Sequence, residues 1–456
     1  MGGLVGAAAL AALLLFGQGR LALTLMATGL LFAVAAVDMR VAIAVAFVLL
    51  IVLGDLRRLL IPYFGWSGAD PLLLVGSGFA VVVTGHALAV GALHFDTNTA
   101  KIALALIAVM VLQIFNPRQG GLMVGLAGTL FMLTPLLWFW VGRTYATPAL
   151  LRTLLFKVVL PAAGVAAVYG TFQVFHGYLP HQQRWLEMNW YAGLGDPSNP
   201  SPISLFASNT EYARFLSIGV VVAWAGVLRE RRPALLAVVL ALLAAIALTG
   251  IRGPLLFSLV MMAGLWAVLG RSKKAWMGRG AVALGLAAVA LAGSLSQAKQ
   301  LGTGTRAGGR LERQAQQFVP SAAAAAESEG RNSAANHFFM MLNGYTFAWK
   351  EPLGKGLGSV TKAASRFGGK GFSTETPFGD SFVALGLPGG VLYHVFVALV
   401  VAGVFRFWQR TRGLLALALM GVLGVTMANL LAGGMYAVGP LVAFCAGAVD
   451  HPTRRS

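Results

Sequence analysis

The chain has 456 residues, is 58% hydrophobic and 11% charged, and has a mean hydropathy of +0.77; soluble domains carry about 25% charged residues, which excludes a water-soluble globule. The formal net charge of +19, on so apolar a chain, reads as basic loops beside anionic lipid and excludes a nucleic-acid partner. One cysteine, Cys445, and seven scattered histidines without a His-x-x-x-His pair leave no disulfide framework, and no metal or other cofactor is expected.

In lipid the backbone must satisfy its own polar groups, which leaves helices or a closed barrel. The apolar runs, such as Ala103–Leu112 and Ala234–Leu248, are continuous rather than alternating, and this predicts helices. In chain order, spans are predicted near 3–16, 21–37, 41–54, 71–93, 101–115, 121–141 and 154–175. After a loop over 176–212 come 213–228, 233–249, 253–270 and 280–296; after a second loop, over 297–379, come 380–405, 413–430 and 434–449. The expected fold is therefore an all-α, polytopic integral membrane protein of about 12–14 transmembrane helices. It divides into an N-terminal bundle (1–296, with the loop at 176–212), a large loop domain (297–379) and C-terminal transmembrane helices (380–456). Met1–Phe16 lacks the basic start of a secretory leader and is taken as the first span.

With the N-terminus inside, Arg143 and Arg152, Arg229, Arg231 and Arg232, Arg271 to Arg279, Arg406, Arg410 and Arg412, and Arg454 with Arg455 share the inner side. The short outer loops carry only Arg20, Arg57 with Arg58, Arg118 and Arg252. That is the positive-inside pattern. Both long loops then lie outside, and 297–379 holds ten basic residues against five glutamates. Cations kept on the outer face are either a solvated surface or a grip on an anionic ligand. The glycine-rich turn Pro352-Leu-Gly-Lys-Gly-Leu-Gly358 would let backbone amides approach a phosphate.

Four stretches together resemble the bacterial O-antigen ligase and Wzy-type O-antigen polymerase superfamily. They are Tyr169-Gly-Thr-Phe-Gln-Val-Phe-His-Gly177, Asn209-Thr-Glu-Tyr-Ala213, Leu248-Thr-Gly-Ile-Arg-Gly-Pro254, and the Pro352–Gly358 turn followed by Glu375-Thr376 and Gly386-Leu-Pro-Gly389. The ligases place a histidine eleven positions before such a Gly-x-x-Gly element; here Glu375 stands eleven before Gly386. A carboxylate there is similar to some polymerase branches, so polymerase is preferred over ligase. The resemblance covers roughly residues 110–430. It implies a GT-C-like architecture with a large periplasmic loop, in the bacterial inner membrane. It also implies an inverting, metal-independent transfer of glycan from undecaprenyl diphosphate to a sugar hydroxyl on a growing glycan or on lipid A-core. The competing expectation, from composition alone, is a transporter or flippase for polysaccharide or lipid-linked sugar, although no internal repeat of the transporter kind is evident.

Such chemistry needs cations for the diphosphate and a base for the acceptor proton. Arg252, between two glycines at a span end, is the first diphosphate candidate, because an arginine at the edge of lipid is costly unless used or paired. Arg184, Arg118 and Arg331 are the others, each equally readable as a solvated loop residue. Glu375 is the candidate base, or else an ion-pair partner of Lys370 or Arg366. His337 is the rival base, since an unperturbed imidazole titrates near pH 6.5. Trp185, Trp190 and Tyr191 could stack on sugar faces, but most of them are read as an interfacial belt.

Overall fold

The structure is a computed structural model. It describes residues 16–189, 201–270, 333–374, 376–427 and 435–450, with isolated positions at 13, 274, 277–280 and 285; over 333–338 only the backbone is described. Among these residues every regular element is helical. Seven helices are long and apolar enough to cross a membrane: α1 (Gly19–Val37), α2 (Met39–Leu59), α3 (Pro71–Ala89), α5 (Leu122–Tyr145), α6 (Pro148–His176), α8 (Asn209–Glu230) and α13 (Pro377–Thr411). Five shorter apolar helices complete the set: α4 (Asn98–Ile114), α9 (Pro233–Ala247), α10 (Arg252–Ala267), α14 (Leu414–Thr426) and α15 (Val438–Val449). Twelve of the expected spans are thus helices, and the chain is a multi-pass membrane protein. The spans expected at 3–16 and 280–296 fall, but for isolated positions, outside the described residues.

Local chemistry sets the helix boundaries. Asp38 caps α2 by accepting the Arg40 amide at 2.7 Å, and Thr97 caps α4 by accepting the Ala100 amide at 2.8 Å. Ser208 caps α8 through Glu211 N (3.2 Å), and Thr376 caps α13 through Gly379 N (3.2 Å). Each satisfies an amide that the first helical turn leaves without an intrahelical partner. Within α6, Pro161 has no amide to give, and the stretch Thr153–Val159 widens into a π-helix in which Leu160 N reaches Leu155 O, a known response to an interrupted bond ladder.

The core lies where α5, α8, α14 and α15 meet. Lipid gives apolar helices no hydrophobic reason to associate, so close backbone approach through small residues does that work. A Cβ on Gly142 of α5 would lie 2.0 Å from Phe444 O of α15, and one on Gly447 would lie 1.8 Å from Phe139 O. Around α8, fifteen residues are buried, against α6, α9, α10 and α14.

Among the described residues, α7 (Pro180–Met188), α11 (Ser333–Lys350), α12 (Lys362–Arg366) and a single helical turn at Ile61–Phe64 stand outside the spans. Helix α13 breaks at Gly386 (φ 69°, ψ −171°). Pro388 has no amide for Ala384 O, and Leu387 N turns away to Pro352 O at 2.8 Å. The carbonyls of Val383 and Ala384, left open by the break, are taken by Lys355 N (2.8 Å) and Gly356 N (3.1 Å). The glycine-rich turn therefore mends the broken helix from outside.

Candidate functional site

Following the helices, one end of the bundle gathers the last turn of α2, the 65–70 turn, the Pro117–Gln119 turn, α7, the 201–208 segment, the first turn of α10, the 352–374 segment and the approach to α15. The sequence Asp55-Leu-Arg-Arg58 supplies its foundation. The apolar run expected to stop at residue 54 continues as helix to Leu59, so these charges are carried inward rather than left in a loop.

Arg58 is fully used. Its guanidinium donates to Phe206 O (2.6 Å), Ser204 O (2.8 Å) and Asp55 Oδ1 (3.2 Å), and it stacks 5.1 Å from the Trp185 ring. Asp55 also accepts from Gln182 Nε2 at 2.9 Å and lies 3.4 Å from His181 Nε2. Gln182 in turn reaches the Tyr169 hydroxyl (2.6 Å) and Gln173 (2.9 Å), while Gln173 Oε1 accepts the amides of Ile203 and Ser204. A charge pair held by this many hydrogen bonds is affordable in a low-dielectric place and gives the surrounding segments one arrangement. Trp185 is buried in this network at 5% exposure rather than lying in an interfacial belt, with the Arg58 cation over its ring; Trp190 and Tyr191 lie outside the described residues.

Arg57 is placed differently. Asp70 accepts from Arg57 Nε at 2.9 Å and also pairs closely with Arg20, whose guanidinium further donates to Gly65 O and Arg57 O. One carboxylate thus serves two guanidiniums, and the group carries a surplus positive charge. The Arg57 side chain lies 4.7 Å from the Trp66 centroid and is 6% exposed, and its Nη2 has no hydrogen-bond partner among the described residues. A buried donor left unmade is costly, so this nitrogen stands ready for an acceptor.

Further ionisable groups surround Arg57. Tyr436 lies within electrostatic reach of Arg57, Arg366, Glu211 and Asp70. Glu211 holds Tyr436 in place by accepting Ala437 N (2.8 Å) and Ala207 N (3.3 Å). One turn along α8, Arg214 contacts Met435 Sδ at 3.1 Å. Arg366 donates to Gly68 O at 2.7 Å, bringing α12 over the 65–70 turn. Lys362 has a lowered pKa: protein atoms crowd its ammonium although much of the side chain meets solvent, and the Arg366 charge adds to the effect. An anion arriving there would be welcomed by both. Beside Tyr436 a crevice of about 20 Å³ lies between α2, α3, α5 and α15, lined by Leu50, Phe131 and Trp138 together with Ser77 and Thr134.

The glycine-rich turn plays no phosphate-binding part. The amides of Lys355 and Gly356 go to α13, Leu357 N goes to Gln113 O (3.2 Å), and Gly358 N goes to Gln119 Oε1 (3.0 Å). All four donors are spent on structure.

The sequence-predicted residues distribute as follows. Arg252 opens α10, half-buried; Ser217 Oγ donates to Pro254 O at 3.2 Å, which sets that first turn one turn along α8 from Arg214. Arg118 is exposed and pairs with Glu351 at 3.2 Å, beside the glycine-rich turn. Arg184 is exposed on α7. His337 lies on the α11 backbone, and its side chain is outside the description. Arg331 and Glu375 lie outside the described residues; Thr374, the residue before Glu375, binds Asp380 through its amide (2.7 Å) and hydroxyl (3.0 Å). The Arg20–Arg57–Asp70 group, Arg214, Arg366 and Tyr436 were not singled out from sequence. Two signals pointed to part of it: an Asp-x-Arg-Arg run at a span end and an aspartate directly before Pro71. No family model, curated protein or solved structure matches this chain.

Proposed function

We propose that the Arg57 end holds the diphosphate of a lipid-linked glycan, and that the protein is a membrane glycosyltransferase of the O-antigen polymerase and ligase type with a GT-C-like architecture. The observation that carries this reading is the buried Arg57 guanidinium with one nitrogen unpartnered among the described residues, with Tyr436 and Arg366 near it. The planar fork of arginine matches phosphate oxygens, and a low-dielectric setting strengthens the contact. The basic short loops lie at the opposite end, and by the positive-inside rule this supports the Arg57 end facing the periplasm of a bacterial inner membrane.

In the reaction the acceptor hydroxyl attacks the anomeric carbon from the side opposite the diphosphate. The bond from that carbon to the diphosphate oxygen breaks, and its electron pair leaves with the lipid diphosphate. A base takes the acceptor proton, with Glu375 or His337 in that role. Arginines that meet the growing negative charge lower the barrier. The acceptor is a growing glycan, or lipid A-core if the enzyme is a ligase.

The test is transfer by purified protein supplied with undecaprenyl-diphosphate-linked glycan and acceptor. Losing one charge-assisted bond at the transition state costs roughly 1.5–3 kcal/mol, so Arg57→Gln slows transfer by about ten- to hundredfold. Glycan that never leaves its carrier, or that crosses a vesicle membrane still attached to it, would overturn the enzyme reading in favour of a flippase. Long glycan on the carrier identifies a polymerase; glycan joined to lipid A-core identifies a ligase.

A further inference from the structure

The opposite end of the bundle contains a cavity of about 370 Å³, open on one side and within the size range of small-ligand pockets, ~300–1,000 Å³. One wall is a stripe of α13: Leu399, Gly403, Arg406, Phe407 and Arg410. The facing wall is the start of α4 and the end of α15, with Asp96, Thr97 and Asp450.

The charges in those walls are unequal in availability. Arg143, 2% exposed, bridges both carboxylates with close contacts to Asp96 and Asp450, and it also donates to His94 O at 3.0 Å. The Thr97 hydroxyl donates to Asp450 at 2.6 Å. The two aspartates are therefore engaged within the protein. Arg406 is exposed; its one bond among the described residues runs from Nε to Ala402 O in its own helix, at 3.2 Å, which leaves its outer nitrogens for a ligand. The lining is formally neutral, with Arg406 and Arg410 against Asp96 and Asp450; Arg143 lies outside it and engages both aspartates, which leaves the α13 wall as the cationic side.

Toward the middle of α13 the stripe continues through Gly403 to apolar Leu399, while Phe407 sits between the two arginines. A wall that is cationic at the helix end and apolar toward the bilayer centre matches an amphiphile with an anionic head. Basic pockets between spans on the positively charged side of a membrane protein suit anionic lipid headgroups. We infer that this cavity is a binding site for an acidic phospholipid, with the phosphodiester between Arg406 and Arg410 and an acyl chain along Gly403 and Leu399. This site is separate from the Arg57 end and stands whether or not the protein transfers glycans.

The test uses the full chain in detergent, loaded with phosphatidylglycerol or with phosphatidylcholine of the same acyl chains, and counts retained lipid by native mass spectrometry. Phosphatidylglycerol is retained preferentially. The double variant Arg406→Gln/Arg410→Gln loses that retention by about tenfold, the effect of one or two charge-assisted bonds. Arg152→Gln, an exposed basic residue at the same end, leaves it unchanged. Thermal unfolding of each variant checks that the fold persists. Equal retention of phosphatidylcholine, or undiminished phosphatidylglycerol on the double variant, would overturn the site. Displacement of the lipid by inorganic phosphate alone would overturn its assignment to lipid, since recognition would then stop at the phosphate group.

Discussion

At the scale of single residues, what separates Arg57 from Arg58 is the supply of acceptors. The two are adjacent on α2, both are buried, and both lean on tryptophan rings. Arg58 finds two backbone carbonyls and a carboxylate of its own; Arg57 must share Asp70 with Arg20. Asp70 is fully buried and, among the described residues, is the counter-charge to both guanidiniums, so removing its charge while keeping its shape is a severe change. Breaking a buried pair by deleting one partner costs about 3–5 kcal/mol. Asp70→Asn is therefore expected to lower the unfolding midpoint in detergent strongly, while Arg118→Gln, at a pair whose partners are 53% and 37% exposed, shifts stability by about 1 kcal/mol or less. Equal effects of the two substitutions would refute the account. Sequence alone marked Arg57 and Arg58 as outer basic residues without distinguishing them, because acceptor supply depends on segments more than a hundred positions away, such as Ser204 and Phe206 for Arg58.

Among the elements, α13 carries the sharpest departure from regularity. The sequence Gly386-Leu-Pro-Gly389 was read as a family signature; in three dimensions it is a helix break, and the glycine-rich turn completes it. Gly386 has a left-handed φ of 69°, and a Cβ there would lie 2.2 Å from Pro352 O. Left-handed geometry alone costs roughly 1–2 kcal/mol for a residue with a side chain, and the clash adds to it. Gly386→Ala is thus expected to release the 352–358 turn and expose it to protease under conditions where the native protein resists. An unchanged cleavage pattern would mean that the turn is held by α4 and the Pro117–Gln119 turn alone. Pro388 and its flanking glycines carry the local signal for the break, although 380–405 is predicted as one continuous span. The partner has no such signal, since which acceptors a glycine turn satisfies depends on what lies opposite it, and here that is two open carbonyls rather than a ligand.

For the whole molecule, span positions were the most legible feature, because long apolar runs in lipid admit few alternatives. Buried ion pairs at both ends were the least legible: Arg143 with Asp96 and Asp450 joins residues up to 307 positions apart, and no local pattern announces that. The two-ended arrangement makes a topological prediction. Cys445 is fully buried, so a cysteine introduced elsewhere reports alone. A membrane-impermeant maleimide applied to intact cells is expected to label Ser67→Cys and Arg184→Cys but to reach Arg231→Cys only after permeabilisation; the reverse pattern would invert the assigned orientation. The mended break in α13 also bears on biogenesis. The 352–358 turn leaves the ribosome before the helix it completes; in the proposed orientation it would have crossed the bilayer by the time α13 enters the translocon. Until the two meet, the carbonyls of Val383 and Ala384 have no permanent donors. The middle of α13 therefore reaches its final hydrogen bonding only when the earlier turn docks on it, so a chain cut between Gly358 and Gly386 would carry a turn whose partners have not yet been made.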